Sequence, residues 1–545
     1  MILRCHDNDS PPQREEGAGG GGWQRRVPVN HPNPLNKEGN YPGIIMNSDE
    51  PEGHRAWAQD NSGDALLEDW RRPMKRLLLI AMVVVAAATA TTTLQAQTGS
   101  LKLPPHERRK LSNGMTLLLM ERHELPLVSF HVIVNAGPVA DPSGQAGLAS
   151  LTAALLRKGT KTRNAEQFSA QLDFVGGQFN TYVAADYAVV SAEFMKKDVS
   201  TGLDLLADAL ENATFPQEEV DKIIKQRVDG IKADKDQALA VLPLYFNAYL
   251  YGAHPYARPR DGDEKSLPGI SREAIVKLYR GNYTPANTML AVVGDFDRAE
   301  MGRMLSQRFG PWPAQQATAV AVPDHADIEG KRLLLVDKPD ATQTYYSIGN
   351  VGVARTNPDR VRIRVLNTVF GGRFASMLNT ELRIKSGLTY GARSYFDERK
   401  ARGPFVISTY TRTATTEKAM DLTLEVIKRL HEKGVTQQEL DLAKSYIKGQ
   451  FPPTIETSGQ LASQLAQLEF YGLDEREIND LYPQIDAMTL ADAQRVIHRY
   501  FPLDNLVFVV IGKASEIGPV VRKYAPRVST ISITEAGFGS EAARF

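Results

Sequence analysis

The chain has almost no cysteine: the only one among 545 residues is Cys5, in an N-terminal stretch unlike the rest. A single thiol excludes an internal disulfide and a thiolate metal site, and leaves no cysteine nucleophile in the body of the protein. Net charge is missing too, since Lys+Arg and Asp+Glu both number 64. Without a charge excess there is no general pull towards nucleic acid or an anionic membrane, and nucleic acid is not expected as a partner. The ten histidines include no pair three or four residues apart, and neither a G-x-x-x-x-G-K-[ST] phosphate loop nor a G-x-S-x-G elbow occurs. On these motifs the chain does not read as a self-sufficient hydrolase. What is present is ordinary globular material, 42% hydrophobic and 23% charged, long enough for several domains.

Residues 1–73 differ in composition, with Pro, Asn, a glycine-rich run at 17–22 and no periodicity, and they read as disordered. Met74-Lys75-Arg76 then opens an apolar run from Leu77 to Ala90, a basic start followed by a segment too short to span a bilayer comfortably. This reads as a signal peptide over 74–96, with small residues at Ala88, Ala90 and Ala96 for cleavage. An N-terminal anchor helix is the competing reading, but length and flanks favour export to the periplasm without a stable membrane anchor. Because signal peptides begin at the initiator, translation is expected to start at Met74, which makes 1–73 a mis-called extension.

From Leu101 the pattern is that of folded protein. Lys110 to Met120 is a hairpin about Asn113-Gly114, and Leu125 to Val134, Phe179 to Tyr182, Tyr187 to Phe194 and Asn287 to Gly294 read as strands. Helical periodicity covers 201–212, 216–233 and 239–250. The second half repeats the first. Tyr283-Thr284-Pro285-Ala286-Asn287 reappears as Phe501-Pro502-Leu503-Asp504-Asn505, and Phe215-Pro216-Gln217-Glu218-Glu219 reappears as Val435-Thr436-Gln437-Gln438-Glu439. Two blocks at nearly one offset indicate a duplicated α+β domain, each copy a mainly antiparallel sheet packed against helices. The copies are expected at 101–315 and 330–527, with 528–545 a loose tail.

Gly147-Leu148-Ala149-Ser150-Leu151-Thr152-Ala153-Ala154-Leu155-Leu156-Arg157-Lys158-Gly159-Thr160 is an apolar helix bounded by glycines. It resembles the first catalytic helix of the pitrilysin, insulinase and mitochondrial processing peptidase family, whose frame is G-x-A-H-x-x-E-H-x-x-x-x-G-T. Gly147, Ala149, Gly159 and Thr160 keep the frame. The two zinc-binding histidines fall on Ser150 and Ala154, and the glutamate that activates water falls on Ala153. In such a helix residues i and i+4 share a face, so two imidazoles meet one zinc; serine and alanine at those positions supply neither ligand nor base. The resemblance puts the third ligand, a Glu of a later helix, at Asp229-Gly230, and an earlier acid near Ile223. Asp229 alone is a weak metal ligand and reads as part of an exposed helix face. Tyr251 to Pro259 resembles the family's H-P-x-x-x-P loop, in which His254 reads as a hydrogen-bonding loop residue; His123 likewise reads as a loop residue.

In the second copy, Phe370 to Tyr390 contains Glu381-Leu382-Arg383 and then Gly387-Leu388-Thr389-Tyr390, similar to the family's C-terminal signature. The segment reads as a helix over 374–385 stopped by Gly387, with Tyr390 opening the next strand. In the family this Arg and Tyr reach substrate bound at the zinc of the other domain or subunit, where a cationic fork and a phenol suit a peptide carbonyl and its oxyanion. A structural role is the alternative, with Arg383 paired to Glu381 or Asp397 and Tyr390 half-buried. The resemblance therefore implies a non-catalytic subunit that binds no metal itself. Its partner would be a homologous zinc peptidase with intact H-x-x-E-H, zinc would sit in that partner, and Arg383 and Tyr390 would contact a peptide substrate. The competing implication is a non-enzymatic structural or peptide-binding homologue.

Overall fold

The structure, a computed structural model, describes residues 101–543; the extension 1–73 and the signal peptide at 74–96 lie outside the described residues. β1 (Glu107–Lys110) turns at Asn113-Gly114 into β2 (Thr116–Glu121). Gly114 takes φ +96, which glycine adopts without a Cβ clash, and the Asn113 amide donates to the Phe309 and Trp312 carbonyls at 2.7 and 3.1 Å. β3 (Leu127–Val134), β4 (Gln178–Val183), β5 (Ala188–Met195) and β6 (Thr288–Gly294) complete a six-stranded sheet ordered β1-β2-β6-β3-β5-β4, in which only β2 and β6 run parallel.

The second sheet comprises β7 (Lys331–Asp337), β8 (Gln343–Val351), β9 (Ala392–Phe396), β10 (Pro404–Arg412), β11 (Leu506–Gly512) and β12 (Arg527–Ser532), ordered β12-β7-β11-β8-β10-β9. Strands β2, β6, β3, β5 and β4 thus reappear as β7, β11, β8, β10 and β9 in the same spatial order and with the same senses. The fold is α+β with two mixed sheets, and the internal repeat is visible in the topology.

The outer edges break the symmetry. The first sheet ends on an N-terminal strand, whereas the second is closed by β12, which pairs parallel with β7. A loose tail at 528–545 is therefore corrected: the segment adds a strand, and beyond it Ile533 and Phe538 are buried, the Phe538 ring 5.2 Å from that of Tyr245. As an edge strand β12 is polar and only half-buried, which leaves little hydrophobic signal in the sequence.

Four helices position the site: α1 (Leu148–Leu155), α2 (Gln217–Asp234), α3 (Ala238–Tyr251) and α4 (Ser458–Tyr471). The halves exchange cover, because α3 packs on β8 and β11 of the second sheet while α4 packs on β3 and β6 of the first. An all-round apolar sequence suits α3 to this sandwiched position, with Tyr245, Phe246, Tyr249 and Tyr251 almost wholly buried. Their phenols find carbonyl acceptors, Tyr249 on Leu333 at 3.2 Å and Tyr251 on Arg402 at 2.9 Å, so aromatic area is buried without stranding a polar tip. Truncating Phe246 to Ala would cost about 3–5 kcal/mol, the range for a large buried aromatic.

Candidate functional site

The retained frame residues of α1 serve the fold. Gly147 starts the helix at φ +94, where a Cβ would stand 2.8 Å from the Gly262 Cα, and Gly159 lies against the Pro216 ring. Thr160 donates from its hydroxyl to Asp208 at 2.6 Å. The Asp141 carboxyl group accepts the Gly147 and Ala149 N–H groups at 2.9 and 2.8 Å at the N-terminus of α1. Burial nevertheless pushes its pKa up to about 7, against the pull of those N–H groups and of Arg258.

At Ser150, α1 is held by contacts to a buried guanidinium and an exposed carboxylate. Ser150 is buried; its hydroxyl donates to Asp261 Oδ1 at 2.5 Å and its carbonyl accepts Arg227 Nη2 at 3.1 Å. Arg227 Nη1 lies 3.9 Å from the same Asp261 oxygen, and burial lowers the pKa of this guanidinium. Ala153 is fully buried and Ala154 half-buried. On α2, Asp229 is exposed and paired with Lys225 at 2.7 Å, which lowers its pKa, while Gly230 faces open space. Ile223 packs at the margin of the first core. A zinc ion needs imidazoles or carboxylates converging on one point, and here a guanidinium lies against the helix where a dication would need them. Among the described residues no three His, Cys, Asp or Glu are grouped so as to hold a metal. The residues do not fit zinc.

Both singled-out histidines make loop contacts. His254 Nδ1 accepts the Tyr256 N–H at 3.0 Å and Nε2 meets the Pro323 carbonyl at 2.8 Å; His123 pairs with Asp295 at 2.7 Å.

The Arg/Tyr corner is built differently from a plain helix and strand. Met377–Asn379 is one helical turn, continued by a π-helical turn at Thr380–Lys385, and Gly387 reverses the chain at φ +61. Such turns relax the side-chain register and recur at functional sites. Buried Leu382 and Leu388 hold the corner, whose backbone closes through the Leu388 N–H on the Leu382 carbonyl at 2.9 Å. Arg383 lies over the Phe374 ring, 4.8 Å from its centroid. Tyr390 sits on a bend two residues before β9 and is 77% exposed. The structural alternative loses its partners: Glu381 binds Lys385 and Arg429, Asp397 binds Arg399, and Tyr390 is not half-buried. No contact joins the Arg383 and Tyr390 side chains among the described residues; Arg383 lines an open groove, and Tyr390 precedes Gly391 of its wall in the sequence.

Sequence reasoning missed Asp141, Arg227 and Asp261. Two of them lie near positions that were marked, Arg227 one turn before Gly230 and Asp261 two residues beyond the Tyr251 to Pro259 loop.

The chain is thus a two-domain α+β protein in which α1 presents Ser150, Ala153 and Ala154 and no imidazole or carboxylate. Residues 117–262 match the model of the insulinase family, peptidase family M16, and residues 269–447 that of the peptidase M16 inactive domain. The chain belongs to the M16 peptidase family. It is 26% identical over 396 residues to an uncharacterized zinc protease of Mycobacterium leprae, covering 72% of this chain and 88% of the relative. An uncharacterized zinc protease of Bacillus subtilis is 22% identical over 406 residues, covering 74% and 98%. The crystal structure of a peptidase M16 inactive domain from Pseudomonas fluorescens aligns with a TM-score of 0.71 at 28% identity, covering 75% of this chain and 98% of that one. A protease from Helicobacter pylori, at 21% identity with a TM-score of 0.68 over 75% of this chain and all of that one, shares the fold.

Proposed function

We propose that this chain is the non-catalytic subunit of a zinc metallopeptidase, assisting peptide binding and hydrolysis by a homologous partner with an intact H-x-x-E-H helix. The observation that carries the reading is an asymmetry. On α1, Ser150 is tied to Asp261 and Arg227 and no imidazole or acid faces the same turn, whereas Arg383 and Tyr390 stay accessible with no carboxylate engaging them. In this role the chain binds no metal itself, zinc resides in the partner, and Arg383 and Tyr390 donate to the carbonyl of the bound peptide and to the oxyanion formed from it. The pair works in the periplasm, reached through the signal peptide at 74–96.

A peptide-binding protein without a catalytic partner is the second reading, favoured by the apolar walls that Leu239 and Phe374 give the groove. Co-expression with H-x-x-E-H homologues from the native host separates the two. The subunit reading expects a heterodimer that cleaves peptides faster than either chain alone; it fails if no homologue associates or if association leaves the partner's rate unchanged.

A further inference from the structure

The groove beside Arg383 has a volume of about 440 Å³ and is bounded by the first turn of α3, the Gly371-Gly372 turn and strands β9 and β10. Three arginines line it, Arg373, Arg383 and Arg393, together with Leu239, Phe374 and Tyr410; no Asp or Glu does. The acids that could neutralise them are engaged elsewhere, Glu381 with Lys385 and Arg429, Asp397 with Arg399, and Glu398 with Arg355. Among the described residues none of the three guanidinium groups has a hydrogen bond or an ion pair, and Arg373 Nε is buried without an acceptor.

Three unneutralised positive charges in one concavity stand out in a chain whose formal charges cancel. Like charges gathered against apolar walls repel one another and focus a positive potential into the groove. A planar guanidinium fork matches a carboxylate in two parallel hydrogen bonds, and an acceptor is what the buried Arg373 Nε lacks. The exposed faces of Phe374 and Leu239 meanwhile offer cover for an apolar side chain. We infer that this groove selects peptides carrying acidic side chains beside an aromatic or aliphatic residue. The inference rests on the peptide-binding reading above and adds a charge preference to it.

The test uses the full chain and fluorescently labelled peptides of equal length with both ends blocked, in which the same positions beside a leucine are Glu, Gln or Lys. The Glu peptide is expected to bind about tenfold more tightly than the Gln peptide, with the Lys peptide weakest, and the preference should shrink as salt shortens the screening length below about 8 Å. Arg373→Gln and Arg393→Gln should each weaken the Glu peptide about five- to tenfold, the scale of one charge-assisted contact, and leave the Gln peptide unchanged. Arg393→Lys keeps the charge and should retain part of the preference, which separates recognition from misfolding. Equal affinity for Glu and Gln peptides overturns the charge preference while leaving peptide binding intact; a chain that binds none of the peptides overturns both. Loss of the Gln peptide in step with the Glu peptide in the arginine variants also overturns the inference, because the arginines then shape the groove without reading charge.

Discussion

Asp141 makes the stability of the chain respond to pH in a direction opposite to ordinary acid denaturation, and replacing it with Asn should remove that response. Asp141 is 2% exposed at the start of α1, and its pKa stands at about 7 against an ordinary 3.8. A carboxyl whose folded pKa is raised contributes stability that is complete below 3.8 and lost as pH climbs through about 7; the interval corresponds to about 4 kcal/mol. Asn cannot ionise, so Asp141→Asn should gain on the wild type by up to about 4 kcal/mol between pH 4 and 7.5. His131 on β3 acts with the opposite sign, since burial lowers it to about 4 from 6.5 and its contribution is lost as pH falls from 6.5 to 4. His131→Gln should therefore gain on the wild type towards acid by up to about 3 kcal/mol. The assay is urea unfolding of each variant and the wild type at closely spaced pH values, read as differences so that all other titrations cancel. A flat difference for Asp141→Asn from pH 4 to 7.5 would refute the claim that its carboxyl is held protonated under α1.

The other expectations concern metal and the C-terminal strand. Elemental analysis of the purified chain should find well under one zinc per chain. Ser150→His, Ala153→Glu and Ala154→His together should restore neither tight zinc binding nor hydrolysis, because Gly230 still offers no ligand and Arg227 still lies on the helix; zinc titration against a chromophoric chelator checks this. Phe538→Ala should destabilise the chain by about 3 kcal/mol, since the ring is 3% exposed against Tyr245, and the thermal midpoint reads the loss.

Much of the fold was legible because local chemistry and global fold agree. Asn113-Gly114 makes the expected turn, and the repeat offset read from the Tyr283 and Phe501 blocks is the one that carries β6, beginning at Thr288, onto β11, beginning at Leu506. The helix beginning at Gln217 likewise reappears at Gln437, in step with the Phe215 and Val435 blocks. The exchange of α3 and α4 between the sheets was not legible, because an apolar helix announces that it is buried and not against what. The same holds for the contacts of α1: Arg227 meets a carbonyl 77 positions away and Asp261 a hydroxyl 111 positions away, contacts that no local pattern encodes. The corner at Arg383 and Tyr390 was legible in residue type, but the π-helical turn and the lack of a shared contact come from the backbone.

The most direct measurement is peptide turnover by the assembled complex carrying Arg383→Ala or Tyr390→Phe in this chain. If these side chains donate to the oxyanion in the partner's site, each variant should lower kcat by about a hundred- to a thousandfold, the scale of losing one such donor, while the complex assembles as before. Tyr390 is 77% exposed, so its variant should melt with the wild type, and lost stability cannot imitate a catalytic defect. Complexes of normal size that cleave at the wild-type rate with either variant would contradict the shared-site account.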